Sequence, residues 1–145
     1  CILSLCDCMN YLIEDGQLES AFQSIAAHMK KESLFLFDMN TEYKFREVLG
    51  QRAFGSAEEA AAYIWENDYD EEEKINEYYV SFFIEQENGL YERVEEYHYE
   101  RAYSIEEIEQ TLQAAGLALL EVTDGYSFAK PHEKSERLLF AARLK

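Results

Sequence analysis

The sequence predicts an α/β fold with a mainly parallel sheet and an inserted antiparallel β-hairpin. Two apolar runs, residues 1–6 and 34–39, flank an amphipathic segment, which is typical of parallel strands joined by a helix. Two long β-rich runs, residues 74–86 and 90–103, flank the dipeptide Asn88-Gly89, a strong hairpin signal. A well-delimited helix and two more apolar runs follow, so strands and helices alternate outside the hairpin.

Length and charge restrict the class of protein. A chain of 145 residues corresponds to one domain or part of one, since domains run roughly 100 to 200 residues. The net charge of −17 disfavours binding to a nucleic-acid backbone or to an anionic membrane. Between Glu66 and Glu100, thirteen acidic residues face only Lys74 and Arg93, a net charge of −11. This segment is either a solvated surface or a surface for a cationic partner.

The N-terminal residues carry the three cysteines. We expect Cys1, Cys6 and Cys8 to be free thiols buried in a strand, because no later cysteine can pair with them. No metal site is expected, because the cysteine and histidine spacings do not match a zinc site. The chain starts inside an apolar run, and we therefore expect a further segment before Cys1. Neither a long apolar span nor a signal peptide is found, which predicts a cytoplasmic protein.

The first helix follows the first strand and has one apolar face. Asp15 is its predicted N-cap, and Lys30 and Lys31 suit its C-terminal end. Its apolar face consists of Leu18, Phe22, Ile25 and Met29. Residues 34–39 form the second strand, and strand, helix and strand make a right-handed parallel unit.

The middle of the chain predicts two helices and then the hairpin. A short helix at residues 42–49 ends at Gly50, and Ser56 with Glu59 form a capping box for an alanine-rich helix reaching about residue 67. If Asn88 and Gly89 are the two loop residues, the numbers of paired residues sum to 177. That register places Tyr78 opposite Tyr99, Val80 opposite Tyr97 and Tyr79 opposite His98. It also opposes Glu85 to Glu92 and Glu77 to Glu100, which counts against it.

The C-terminal third has a second capping box. Ser104 and Glu107 begin a helix that ends at Gly116, with Ile105, Ile108, Leu112 and Ala115 on one face. Residues 117–123 and 137–144 are the last two strands. The loop between them, residues 124–136, contains the only proline, Pro131.

Common catalytic and phosphate-binding motifs are missing from the sequence. The six glycines form no GxGxxG and no P-loop, and no HExxH, GxSxG or CxxC is present. Attention therefore falls on residues 6–11 and 38–41, because open α/β sheets bind ligands beyond the carboxyl ends of their parallel strands.

The order of these segments resembles a known family. The runs LSLCDCMNYL and LFLFDMNT, the hairpin, RAYSIEEIEQTLQAAGL and RLLFAARLK together resemble the C-terminal half of a class I S-adenosylmethionine-dependent methyltransferase. The resemblance implies a Rossmann-like sheet, of which this chain holds strands four to seven, with the last strand antiparallel beside the fifth. Residues 1–145 are then one partial domain. The N-terminal half with its glycine-rich loop and ribose-binding acid is expected as the missing partner.

The resemblance also implies a cofactor, a reaction and candidate residues. The cofactor is S-adenosylmethionine, which becomes S-adenosylhomocysteine on transfer of the methyl group to an acceptor that the sequence does not identify. Residues 54–103, read as a helix plus a hairpin, form the substrate-side insert. The cofactor-side candidates are Leu5, Cys6, Asp7 and Asn10. The substrate-side candidates are Tyr11, Asp38, Asn40, Tyr79, His98 and Tyr126. Asp38, His98 or Tyr126 serves as general base if the acceptor must lose a proton.

A non-enzymatic function is the alternative. The acidic segment between Glu66 and Glu100 would then capture a basic protein, with the α/β core as its scaffold. Salt separates the two hypotheses, because a partner held by exposed charges dissociates as ionic strength rises and a buried cofactor does not.

Overall fold

Two four-stranded sheets and two α-helices make up the computed structural model, which describes residues 1–145. In chain order the elements are β1 (Ile2–Ser4), a 3₁₀ turn (Cys8–Tyr11), α1 (Gln17–His28), β2 (Phe35–Asn40), a π-helix (Lys44–Leu49), β3 (Ala53–Ala57), β4 (Ala61–Asp70), β5 (Ile75–Glu85), β6 (Tyr91–Arg101), α2 (Ile105–Ala114), β7 (Leu117–Asp124) and β8 (Arg137–Leu144). Neither α-helix is long and apolar enough to cross a membrane.

The first sheet has the strand order β1-β2-β8-β7. β1 runs parallel to β2, and β8 lies antiparallel between β2 and β7. β2 and β7 are therefore parallel to each other, with the last strand of the chain inserted between them. This arrangement confirms the α/β class and the antiparallel last strand.

The main core lies between this sheet and the two helices. Phe35 and Phe37 of β2 and Phe140 of β8 point to the same face, and the rings of Phe37 and Phe140 stack with centroids 4.9 Å apart. Phe22 of α1 and Ile108 of α2 pack onto these rings and are fully buried. Each buried aromatic side chain removes about 150–250 Å² from water, so this cluster dominates the stability of the α/β part.

The helix ends follow the sequence prediction in one case and differ in the other. α2 has the predicted capping box: Ser104 Oγ accepts a hydrogen bond from the Glu107 N–H, and Glu107 Oε2 accepts one from the Ser104 N–H. The Asp15 cap of α1 is wrong, because Gly16 occupies the N-cap with φ +81°. Asp15 instead pairs with Arg101, 3.2 Å away.

The alanine-rich helix predicted from Ser56 to residue 67 is wrong, and the insert is a four-stranded antiparallel sheet. Its strand order is β3-β4-β5-β6, with β4 paired to β5 along its whole length. Tyr63, Trp65 and Tyr69 alternate with more exposed residues in β4, a two-residue period that suits a strand. The hydrogen bonds that β5 offers to β4 therefore override the capping-box pattern.

The hairpin is present, but its predicted register is wrong by one residue. Paired positions sum to 176, so Tyr78 lies opposite His98 and Tyr79 opposite Tyr97. The loop has three residues, because Gln86 and Leu90 still pair through a 2.8 Å hydrogen bond. Gly89 takes the left-handed position that such a loop requires, at φ +76°. This register replaces the expected Glu85–Glu92 and Glu77–Glu100 pairs with Glu85–Tyr91 and Glu77–Tyr99.

β1 is an edge strand and is less buried than its composition suggests. Its only partner strand is β2, and Leu3 remains 59% exposed. The expected burial of the thiols is wrong, because Cys1, Cys6 and Cys8 are all exposed. The sheet face opposite the two helices carries Leu36, Leu139 and Ala141, which are partly exposed.

Candidate functional site

A cavity of about 420 Å³ lies where the two sheets meet, beyond the carboxyl ends of β1 and β2. Its floor belongs to the α/β part and its wall to one face of the second sheet. The floor residues are Asp7, Tyr11, Asn40 and Lys44. The wall residues are Tyr63, Trp65, Tyr78, Val80, Phe82, His98 and Glu100.

The wall is aromatic because of strand alternation. Tyr78, Val80 and Phe82 occupy every second position of β5 and therefore share one face. Tyr63 pairs with Phe82, and Trp65 pairs with Val80, so these rings join that face. The rings of Trp65 and Tyr78 lie 5.5 Å apart. The wall thus presents several aromatic faces to anything that enters the cavity.

The backbone that follows β1 is strained. Cys6 and Asp7 both have left-handed backbone angles, with φ of +62° and +55°. Each such residue costs on the order of 1–3 kcal/mol unless surrounding contacts hold it. Asp7 is held by the N–H of Asn10, which donates to its carbonyl over 2.9 Å, and by contacts to its side chain. In this conformation the Asp7 side chain lines the cavity floor.

Asn40, at the end of β2, connects the floor to the wall. Its Nδ2 donates to Asp7 Oδ2 over 2.8 Å and to Glu100 Oε2 over 2.9 Å. Its Oδ1 accepts a 2.9 Å hydrogen bond from Lys44 Nζ. The amide orientation follows from these partners, because only the NH₂ group can donate to two carboxylates.

Asn10 supports Asn40 from behind. Its Oδ1 accepts a hydrogen bond from the Asn40 N–H over 2.9 Å, and its Nδ2 donates to the carbonyls of Asn40 and Arg101. The side chain is fully buried. Asn10 therefore ties the turn after β1 to the end of β2 and to β6.

Glu100 is the most perturbed carboxyl group at the cavity. Burial and the nearby Asp7 raise the pKa of Glu100 to about 7, although the hydrogen bond from Asn40 opposes this shift. Burial also raises the pKa of Tyr78 above its ordinary value, and the neighbouring Glu100 adds to the shift. The pKa of Lys44 is lowered by burial and by Arg137. Glu100 can thus take up or release a proton near neutral pH.

An ion-pair cluster lies behind Asp7. Arg137 pairs with Asp7 over 3.0 Å and also with Asp38, which is fully buried. The hydroxyl of Tyr126 donates to Asp38 Oδ2 over 3.0 Å. The two carboxylates raise the pKa of Arg137 despite its burial, so the guanidinium stays charged. Arg137 holds Asp7 in place, while Asp38 and Tyr126 do not line the cavity.

Tyr11 and His98 close another side of the cavity. The Tyr11 hydroxyl lies 3.3 Å from His98 Nδ1, and His98 Nε2 lies 3.2 Å from Glu96 Oε2. Burial raises the pKa of Tyr11, as do Glu100 and Asp7, so its hydroxyl keeps its proton at neutral pH.

The predicted site residues separate into two groups. Asp7, Tyr11, Asn40 and His98 meet at the cavity. Asn10, Asp38 and Tyr126 lie behind it, and Leu5 and Cys6 lie on the exposed segment before Asp7. Tyr79 faces away from the cavity and stacks on Tyr97, with ring centroids 4.9 Å apart.

Other cavity residues were not named as site residues from the sequence, although all but Lys44 lie within the predicted substrate-side insert at residues 54–103. They are Lys44, Tyr63, Trp65, Tyr78, Val80, Phe82 and Glu100. The two-residue alternation of β4, β5 and β6 is the signal that groups most of them, because it places Tyr78, Val80 and Phe82 on one face.

Solved structures similar to this chain include an S-adenosylmethionine-dependent methyltransferase. The crystal structure of such an enzyme from Clostridium acetobutylicum ATCC 824 superposes with a TM-score of 0.89 at 34% identity. The superposition covers 99% of this chain and 57% of that structure.

Two curated relatives have similar sequences. One, from Geobacillus sp. (strain WCH70), is named "Putative methyltransferase GWCH70_2453" and is 33% identical over 143 residues. The other, "Putative methyltransferase YqeM" of Bacillus subtilis (strain 168), is 32% identical over 143 residues. These alignments cover 99% and 98% of this chain, but the chain spans only 58% and 57% of the two relatives' lengths. No protein-family model matches the sequence.

Proposed function

We propose that this chain takes part in transferring a methyl group from S-adenosylmethionine to an acceptor bound in the cavity. The cavity itself is the observation that supports this function most directly. It lies beyond the carboxyl ends of the parallel strands β1 and β2, where open α/β sheets bind ligands, and a separate sheet walls it. The similarity to methyltransferases over nearly the whole chain favours this function over the acidic binding module.

The residues at the floor fit the methyl-donating end of the cofactor. When bound, S-adenosylmethionine supplies a methyl group on a positively charged sulfonium. Carboxylates and aromatic faces stabilise such a cation, and Asp7 and Tyr11 offer both at the end of β1. Leu5, Cys6 and Asp7 are the proposed contacts. Asn10 is the proposed support, because its amide already binds the backbone of Asn40.

The chain contributes orientation and exclusion of water. Methyl transfer is an in-line displacement that needs no covalent intermediate with the protein, so positioning two groups accounts for much of the rate. Asp7 and Asn40 fix the geometry of the cavity floor. The aromatic wall displaces water from the acceptor. Glu100 and His98 are the proposed groups that exchange a proton with the acceptor.

Calorimetric titration of S-adenosylmethionine and S-adenosylhomocysteine into the full-length natural protein tests this function. Both compounds are expected to bind. Tyr11→Ala should weaken S-adenosylmethionine more than S-adenosylhomocysteine, because only the first carries the sulfonium charge that a ring face stabilises.

Tyr91→Ala is the matched control, since Tyr91 lies at the far end of β6 outside the cavity. Its affinities should equal those of the unaltered protein. Absence of binding by either compound to the full-length protein would disprove the proposed function. Equal weakening of both compounds by Tyr11→Ala would instead show that Tyr11 does not act on the sulfonium.

A further inference from the structure

We propose that the acceptor is a small primary amine, which enters the cavity as an ammonium ion and gives a proton to Glu100 before it is methylated. The inference rests on the proposed methyl transfer and specifies its acceptor. The evidence comes from the lining of the cavity, its size and the position of Glu100.

The cavity combines the two kinds of group that attract an ammonium ion. Asp7 and Glu100 place two carboxylates at one end of the cavity. Lys44 is the only lysine or arginine in the lining. Tyr63 and Trp65 provide aromatic faces, which attract cations through the negative potential above the ring. With Glu100 ionised, the lining therefore has an excess of negative charge beside aromatic rings.

Lys44 does not cancel this excess. Its ammonium group donates to Asn40 Oδ1 over 2.9 Å, on the opposite end of that amide from the two carboxylates. The pKa of Lys44 is lowered by burial and by Arg137, although Asp7 and Glu100 oppose this shift. Glu100 Oε2 accepts a hydrogen bond from Asn40 Nδ2 over 2.9 Å, and the Tyr78 hydroxyl is a second hydrogen-bond partner that lowers the pKa of Glu100. A carboxylate can accept further hydrogen bonds.

The volume of the cavity suits a small molecule. A cavity of about 420 Å³ lies in the lower part of the range of about 300–1,000 Å³ that small-molecule sites occupy.

Glu100 suits an amine better than an alcohol. An alkyl ammonium has a pKa of about 10.4, and loss of hydration in the cavity lowers it. Glu100, with a pKa of about 7, can then accept its proton. A neutral aliphatic hydroxyl is far less acidic, and this carboxylate is too weak a base to ionise it.

Several titratable groups surround Glu100 and set its proton affinity. They are Asp7 and Tyr11 of the turn after β1, Lys44 of the π-helix, Tyr78 of β5 and His98 of its own strand.

Atoms and charges balance when Glu100 is the proton acceptor in the proposed reaction. The ammonium proton passes to the Glu100 carboxylate, which leaves a neutral amine with a free lone pair. That lone pair forms the new N–C bond while the C–S bond of the methyl donor breaks, and its electron pair remains on sulfur. The sulfonium becomes a neutral thioether, the product leaves as a methylammonium ion, and Glu100 returns its proton to water.

Paired ligands that differ in charge test the inference without relying on turnover. Benzylamine and the neutral benzyl alcohol are titrated calorimetrically into the full-length natural protein, with and without S-adenosylhomocysteine. Benzylamine should bind about tenfold or more tightly than benzyl alcohol, because its ammonium group forms a charge-assisted hydrogen bond with Glu100. Glu100→Gln should abolish most of this preference.

Two further variants guard against a folding defect in Glu100→Gln. Tyr63→Leu removes one aromatic face and should reduce the preference for benzylamine about threefold or more. Glu121→Gln, on an exposed position of β7 away from the cavity, should leave it unchanged.

The outcomes separate this inference from the proposed function. Binding of S-adenosylhomocysteine together with equal affinity for benzylamine and benzyl alcohol overturns the amine acceptor and leaves methyl transfer standing. A preference for benzylamine that survives Glu100→Gln overturns the role of Glu100. Loss of that preference in both cavity variants but not in Glu121→Gln supports the inference. Failure of the protein to bind S-adenosylhomocysteine counts against methyl transfer itself.

Discussion

Glu100 has a carboxyl group whose ionisation is opposed by its surroundings. Its pKa is about 7 in the folded chain, whereas an unfolded glutamate titrates near 4.3. Between these values the folded state binds more protons than the unfolded state. The contribution of Glu100 to stability is therefore present below about pH 4 and is lost as pH rises to about 7.

Glu100→Gln should remove this pH dependence. We expect the free energy of unfolding of the unaltered chain to fall relative to that of Glu100→Gln between about pH 5 and pH 8. Urea unfolding of both proteins at several pH values measures the difference. Glu121→Gln, an exposed position on β7, should follow the unaltered chain. A constant difference across this range would show that Glu100 titrates normally.

Arg137 balances the negative charge of Asp38, whose carboxylate has little access to water. Asp38 is fully buried, and Arg137 is its only cationic partner. Arg137→Met should cost about 3–5 kcal/mol, the usual effect of leaving a buried charge unpaired. Denaturant unfolding at neutral pH measures this cost.

Arg143→Met is the control for Arg137→Met, because Arg143 lies on the same strand and is exposed. It should change stability by less than about 0.5 kcal/mol. The double variant Asp38→Asn, Arg137→Met should recover part of the loss, since it removes the unpaired charge. Equal losses in both single variants would contradict this account of the ion pair.

The candidate residues that directly follow a parallel strand could be predicted from the sequence. Asp7 and Asn40 follow β1 and β2, and the carboxyl ends of parallel strands meet at one edge of the sheet. The predicted register paired Tyr79 with His98, and both residues were substrate-side candidates. A shift of one residue moves every side chain to the other face, so Tyr78 takes this place.

At the level of elements, α2 is a helix whose start is specified by its own sequence. Ser104→Ala removes the hydroxyl that accepts from the Glu107 N–H and should cost about 1 kcal/mol. Thermal or urea unfolding detects a change of this size. Ser24→Ala, at an exposed position inside α1, should be neutral or slightly stabilising, because alanine has the higher helix propensity.

The pattern Ser-x-x-Glu occurs twice in the chain, but it begins a helix only once. After Ser104, apolar residues recur with helical spacing, and Ile108 and Leu112 are fully buried. After Ser56, the large side chains Tyr63 and Trp65 lie two residues apart and face the cavity. The pairing of β4 with β5 lies beyond any local motif, so the sequence prediction of a helix failed there.

At the scale of the whole molecule, two hydrophobic clusters hold the parts of the chain together. The larger one joins the first sheet to α1 and α2, and the smaller one joins the π-helix to the second sheet through Phe45, Tyr69 and Tyr78. The order of strands and helices in the α/β part was predictable, because each has a clear hydrophobic period. The second sheet was only half predictable, since the local pattern of Ser56 and Glu59 favours a helix and only pairing with neighbouring strands makes β3 and β4 extended.

The edge of the first sheet should affect how residues 1–145 behave in isolation. β1 pairs on one side only, and Leu3 is 59% exposed beside unpaired backbone groups. Such an edge favours association with a second strand. We expect concentration-dependent association of the isolated chain, measured by light scattering, and a marked decrease in Leu3→Lys.

Leu90→Lys is the control for the edge. Leu90 is 67% exposed next to the hairpin loop, so the variant adds the same charge without touching β1. Its association should match that of the unaltered chain. A monodisperse monomer at all concentrations would contradict the role assigned to β1.

The aromatic wall also gives the chain a local optical reporter. Trp65 is its only tryptophan and is part of the cavity lining, in contact with Tyr78 and near Phe54. Indole emission responds to the polarity around the ring, so the tryptophan signal of residues 1–145 comes from this cavity alone. Drying of the cavity by an occupant would shift that emission to shorter wavelength, which allows its filling to be followed in real time without any label.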